Sequence, residues 1–273
     1  MQRNITLEMQ VENISLETVL MVQKDFDASE VISIIFLLDE NHGRALENLI
    51  AFQRMSKTGS YSANILLDWA IEASERLTWK WEFVDALLTC QILSVIKKIG
   101  VSIPALKNHL LSSQRRYVHP IKKHIFKICE NIDSIIYLKL IKILREDYKI
   151  ILTDHENCEI LFLQLMYKKF FTISLGNYSN VDDSVDKIVN VLDQIQTLRE
   201  LSTEMKYLFA INNIDRKNES YTQKSNFEHR ENREKTYEEQ ELGADDFDDT
   251  YKLLNQLTLE DLNSHFKADN GKK

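Results

Sequence analysis

The chain has 273 residues, 44% of them apolar, and a formal charge of −8 from 34 Lys and Arg against 42 Asp and Glu. That length holds two small domains, that apolar share suffices for packed cores, and a net-acidic chain is not a general nucleic-acid binder. Six glycines and two prolines are few for strand edges, tight turns and phosphate loops, so helices joined by short polar loops are predicted.

The N-terminus, Met1 to Glu8, places charges where a signal peptide needs its apolar run. The first block runs from about Ile14 to Leu111. Ser15 caps a predicted helix carrying Leu16, Val19, Leu20 and Val22. Asp27 or Ser29 caps the next, with Val31, Ile34, Ile35 and Leu38 at helical spacing. Asn41-His42-Gly43 reads as the break before Ala45, Leu46, Leu49, Ile50 and Phe52, and Lys57-Thr58-Gly59-Ser60 as a turn before Ile65, Leu66, Trp69 and Ala70. Trp79 to Ile99 reads as one helix, stopped by Gly100.

Val118-His119-Pro120 is a hinge, and Pro120 suits a first helical turn because its missing N–H costs nothing there. Ile121, Ile125, Ile128 and Ile132 then form one apolar stripe. A second helix starts near Asp133 with Ile136, Leu140, Ile141 and Leu144; further helices are predicted over Cys158–Phe171, Val185–Ile195 and Leu198–Phe209. From Asp215 to Glu241 the chain is almost wholly polar and charged, too poor in apolar area to repay ordering. Thr250 to Phe266 is a short amphipathic segment. The expected architecture is all-α: one helical bundle over 10–111, a second over 118–211, and a disordered acidic tail over 212–273.

No catalytic or metal-binding constellation is recognisable in the sequence. Cys90, Cys129 and Cys158 have no CxxC spacing and no Q-A-C-x-G context. They read as buried thiols of a reducing compartment, and the expected location is cytoplasmic. His42-Gly43 has no matching cysteine, and His155-x-x-Cys158 is half of a zinc spacing. No P-loop, dinucleotide turn or HExxH occurs. No apolar stretch reaches the ~20 residues that span a bilayer. The expectation is therefore no cofactor, no metal, no nucleic acid and no membrane. Arg115, Arg116, Lys122, Lys123 and Lys127 form a basic patch that reads as a solvated linker or a salt-bridging face.

Surplus hydrophobicity is the positive signal. Ile160 to Phe171, including Phe162 and Tyr167, surrounds its helix with apolar side chains instead of one stripe. Full burial of such a helix is difficult inside a bundle of ~90 residues, so this segment is expected to present a contact surface. Phe36-Leu37-Leu38 poses the same question, because Ile34, Ile35 and Leu38 already fill an inner stripe.

Six short helices with an aromatic-aliphatic pair near the end of the second resemble a death effector domain, a member of the death fold superfamily. The likeness is closest to the tandem prodomain of insect initiator caspases of the caspase-eight type (Dredd-like). It rests on Phe36-Leu37-Leu38, on Val84-x-Ala86-Leu87 running to Gly100, on Leu106-Lys107-x-His109, and on Val118-His119-Pro120-x-x-Lys123 running to Cys129-Glu130. The resemblance covers about Glu17 to Asn131 and extends more loosely to Phe209.

In that family the phenylalanine–leucine pair of one domain inserts into a pocket on the next, chaining domains head-to-tail with the adaptor FADD. The resemblance thus implies that Phe36 and Leu37 are contact residues of the first module and Ile143 and Leu144 those of the second. The family's R-x-D-L element is replaced by Leu198-Arg199-Glu200-Leu201, which leaves its charge network without a counterpart. The resemblance implies a noncatalytic interaction module of apoptotic or innate immune (Imd-type) signalling. Such a module binds a FADD-like death-domain adaptor and associates with itself or with caspases. The alternative is the N-terminal prodomain of an active initiator caspase, a cysteine endopeptidase whose catalytic domain lies outside this chain.

Overall fold

The computed structural model describes residues 6–58, 64–112, 116–153, 157–173 and 185–211, and no strand occurs among them. All lie within one compact unit, Met1–Asn218. The first half comprises α1 (Leu7–Glu12), α2 (Leu16–Val22), α3 (Ala28–Leu38), α4 (His42–Lys57), α5 (Ile65–Ala73), α6 (Trp79–Thr89), α7 (Leu93–Lys98) and α8 (Ile103–Ser112). The second comprises α9 (Pro120–Glu130), α10 (Ser134–Glu146), α11 (Cys158–Tyr167), α12 (Asp186–Asp193) and α13, residues 199–211. No described helix is long and apolar enough to cross a membrane.

Polar caps set most of these starts. Ser15 and Thr18 form a capping box for α2, and Asp27 and Glu30 form one for α3. Asn41 accepts from the Arg44 N–H, so His42 and Gly43 belong to the first turn of α4. Pro120 occupies the first turn of α9, behind a His119 cap. The predicted single helix from Trp79 to Ile99 is broken. Gln91 adopts φ 57° between α6 and α7, and the Ile92 N–H returns to the Leu87 carbonyl. That reversal turns the apolar residues of α7 back onto the bundle. Gly100, at φ 79°, ends α7 in the left-handed region that a side chain would strain. The predicted helix from Leu198 is present as α13, entered through a single 3₁₀ turn at Gln196–Leu198. Gly59, Ser60, Arg115, His155, the acidic run and the 250–266 segment lie outside the described residues.

The expectation of outward-facing apolar residues needs correction at four of its six positions. Phe36, Leu37, Leu144 and Phe162 are buried; Ile143 is half-buried and Tyr167 is exposed. Leu144 lies on α10, which packs on α12 of its own half, whereas for Phe36, Leu37 and Phe162 the reason lies in the packing of the two halves. α11 of the second half packs against α3 and α4 of the first as well as against α9, and α9 also packs on α3. A helix apolar all round is thus buried between two bundles, which neither bundle alone could achieve. Gly43 on α4 permits the close approach, since a Cβ there would meet the Tyr167 ring at 3.3 Å.

Candidate docking surface

The junction of the halves is tied by side chains that the apolar pattern did not single out. Ser33 Oγ on α3 donates to Glu159 Oε1 on α11 over 2.7 Å, and both residues are buried. Lys122 of α9, 1% exposed, donates from Nζ to the Asp39 carbonyl just past the end of α3. A cation there complements the carbonyl end of the helix. The same ammonium stands 6.0 Å from the centroid of the Phe36 ring, at the outer reach of a cation–π contact. Burial lowers the Lys122 pKa to about 8 against the raising influence of Asp39 and Glu40.

The hinge is fixed as firmly. Asp85 of α6, buried, accepts from the Val118 N–H at 3.0 Å and from Lys123 Nζ at 2.7 Å. Tyr117 stacks on Trp81, which also stacks on His109. Lys127 pairs with Glu204 of α13 at 3.0 Å. The basic patch therefore resolves into intramolecular partners for Lys122, Lys123 and Lys127.

α3 and α10 are the second helices of the two halves, if α1 is set aside, and they begin alike. Asp27 Oδ1 accepts from the Glu30 N–H and Asp133 Oδ1 from the Ile136 N–H, both at 2.8 Å. Beyond the caps they diverge. Every residue of α3 from Val31 to Leu38 is buried, whereas α10 buries only Leu140 and Leu144. Ile135 and Leu138 are 63% and 68% exposed, and Ile136, Tyr137, Ile141 and Ile143 are half-buried. Ile135, Leu138, Lys139, Lys142 and Arg145 follow one another at helical spacing along the exposed side. The outcome is an apolar stripe edged with positive charge, on the helix whose counterpart in the first half is covered.

Two families of caspase domains match the chain: "Caspase-8, N-terminal domain" over residues 12–112 and "Caspase-8, second domain" over residues 115–210. The chain belongs to the caspase-8 N-terminal tandem-domain family. Among curated relatives, "Caspase-8" of Drosophila pseudoobscura pseudoobscura is 28% identical over 130 residues, covering 45% of this chain and 25% of that protein. "Caspase-8" of Drosophila melanogaster is 22% identical over 193 residues, covering 67% of this chain and 38% of that protein. The chain thus spans about a quarter to two fifths of the length of these relatives. No solved structure matches it.

The matched spans of this caspase-8 tandem meet between α8 and α9, so the junction above is an interdomain contact. Phe36 and Leu37 follow Ser33 at helical spacing on α3, the helix that α9 and α11 pack against, and Phe162 lies edge-on to Phe171 at 6.2 Å. Ile135 and Leu138 do not form an aromatic-aliphatic pair of the kind that singles out Phe36 and Leu37. The available signal was the run Ile135-Ile136-Tyr137-Leu138, more apolar residues than one helical stripe accommodates.

The thiols converge on one place. Cys90, Cys129 and Cys158 all line a crevice of about 960 Å³ at the interdomain junction, with Glu30, Glu130 and Glu159. Burial pushes the Cys90 thiol up, as do the charges of Glu159, Glu130 and Glu30. Burial also holds Cys129 well above the ordinary thiol range, reinforced by its hydrogen bond with the Cys158 thiol. Raised values are the reverse of an activated nucleophile. Among the described residues no three His, Cys, Asp or Glu side chains are grouped to hold a metal ion.

Proposed function

We propose that this caspase-8-type tandem acts as a noncatalytic docking module. It joins a FADD-like death-domain adaptor and further copies of its own kind in apoptotic or innate immune signalling, through the exposed stripe of α10. The observation that carries this reading is the asymmetry between α3 and α10. Equivalent helices with equivalent caps would need equivalent cover. α3 receives it from α9 and α11 of the next domain, while α10 keeps Ile135 and Leu138 in water. As α9 and α11 pack together in the second domain, so α2 and α5 pack together in the first. α2 and α5 expose Met21 and Ile71 and carry exposed Glu17 and Asp68, with Glu75 just past the end of α5, while Glu72 is paired with Arg44. Apolar residues edged by positive charge on α10 therefore match apolar residues edged by negative charge on α2 and α5. A contact joining two different surfaces of one chain is heterologous, and it is able to propagate because each added copy leaves both kinds of surface available.

The test uses the full chain and its cognate adaptor. Ile135→Asp with Leu138→Asp should weaken adaptor binding and self-association by tenfold or more, with an unchanged melting curve, since both positions are exposed. Undiminished binding overturns the assignment. Charge reversal probes polarity: Lys139→Glu with Lys142→Glu, and separately Asp68→Lys with Glu75→Lys, should each abolish self-association. Mixing the two variants pairs reversed α10 with reversed α2 and α5, and wild-type α10 with wild-type α2 and α5, so both contacts are complementary and mixed, alternating assemblies should reappear by sedimentation. The family also allows an active initiator caspase whose prodomain this chain forms, and the relatives' greater length favours that context. The same docking step would then serve to concentrate protease domains.

A further inference from the structure

His42, half-buried, and Lys122, buried, are two basic groups, one from each domain, at the same junction. His42 opens α4, the helix on which α11 packs, and its neighbour Gly43 lies under the Tyr167 ring. Its Nε2 is buried without a hydrogen-bond partner among the described residues. We propose that the interdomain junction is an acid-sensitive latch, in which a proton on His42, set against the enclosed Lys122 ammonium, drives the two domains apart.

Each element around His42 bears on the outcome. α9 contributes Lys122, a like charge once His42 is protonated. The end of α3 contributes Asp39, the one carboxylate that favours the imidazolium. Asp39 is already engaged, however: both its oxygens accept from the Arg44 guanidinium at 2.9 and 3.2 Å, and Oδ1 also accepts from the Asn41 N–H. α4 itself contributes Arg44, and α11 contributes the uncharged Tyr167 ring beside Gly43. Glu40 and Arg76 act on Lys122 with opposite signs. A new N–H at Nε2 therefore gains no acceptor while it adds a second cation to a desolvated space. Separation relieves both defects, because it returns Lys122 and His42 to water.

Burial first, then Lys122, holds the His42 pKa down to about 4 in the closed state. An imidazole returned to water titrates near 6.5. The open form therefore binds the proton more readily, and each step of acidification between those values favours it. Opening would uncover Phe36 and Leu37, giving the chain a second apolar helix face like that of α10. That consequence rests on the docking reading; the latch does not.

The experiment places spin labels on the full chain at Leu77→Cys in the first domain and Tyr207→Cys in the second, both exposed, in a Cys90→Ser background. Helicity is followed by circular dichroism. The expected result is a longer interlabel distance as pH falls from 6.5 to 4, with helicity retained. His42→Gln, neutral throughout, should stay closed over the same range. Lys122→Met should move the opening to lower pH by removing the facing charge. His124 is a second buried imidazole with a lowered pKa, but its Nε2 bonds to the Leu201 carbonyl of α13 within the second domain. The His42→Gln chain keeps His124 and so separates the two. A wild-type distance that stays constant to pH 4, or an equal opening in His42→Gln, overturns the proposal, whatever the α10 variants do to association.

Discussion

At Lys122 an ammonium 1% exposed has exchanged water for one backbone carbonyl and the neighbourhood of one aromatic ring. Its pKa of about 8 in the folded chain compares with about 10.4 for a free lysine. The unfolded chain therefore holds the proton to higher pH than the folded one, and stability rises as pH climbs from 8 toward 10.4. The difference corresponds to about 3 kcal/mol that the buried charge costs below pH 8. Lys122→Met removes that cost and gives up the bond to the Asp39 carbonyl, itself about 1 kcal/mol. Urea titrations should find the variant about 2 kcal/mol more stable at pH 7, with the advantage gone near pH 10.5. An equal gain at both pH values would mean that packing, not charge, governs the site. His42 follows the same sign lower down: its value of about 4 means that stability present above pH 6.5 is lost as pH falls toward 4.

At the scale of elements, the segment between α8 and α9 is held as a structured connection. Asp85 of α6 fixes the main chain at Val118 and the side chain of Lys123 one turn into α9. Asp85→Ala strands the Val118 N–H and frees Lys123, so a loss of about 2–4 kcal/mol is expected. Lys123→Ala leaves the backbone bond intact but deprives the buried Asp85 carboxylate of its cation, and should cost about 1–2 kcal/mol. Thermal melts of the pair decide whether the backbone bond dominates; equal losses would refute it. Elements of this kind were partly legible in the sequence. Ser15, Asp27, Asp133 and Pro120 announced their helix starts, because caps act within three residues. Gln91 gave no warning: a left-handed non-glycine residue interrupts an unbroken apolar pattern, and only the packing of α7 requires the turn. The exposure of α10 and the burial of α11 were illegible for a related reason. Both helices carry more apolar residues than one stripe, and which of them is covered depends on the other domain.

Across the whole molecule the two domains share apolar cover, and this couples their stability. Phe162 is 0% exposed on α11, the second-domain helix that packs on α3 and α4 of the first. Phe162→Ala removes a large buried ring and its edge-on contact with Phe171, a loss of about 3–5 kcal/mol. The chain offers a clean reporter of where that loss is felt. Its three tryptophans, Trp69, Trp79 and Trp81, all lie in the first domain. If the domains were independent, Trp fluorescence would follow first-domain unfolding alone and ignore a change in the second. Sharing α11 as common core instead predicts one cooperative transition. In Phe162→Ala the urea midpoint seen by Trp fluorescence should fall by the same amount as the midpoint seen by circular dichroism. A fluorescence midpoint that stays at the wild-type value while the dichroism curve splits would show two separately stable bundles. Phe36 would then owe its burial to contact without coupling. Coincident shifts would mean that uncovering α3 requires the whole junction to part, so that of α3 and α10 only α10 offers an apolar face on a folded chain at neutral pH.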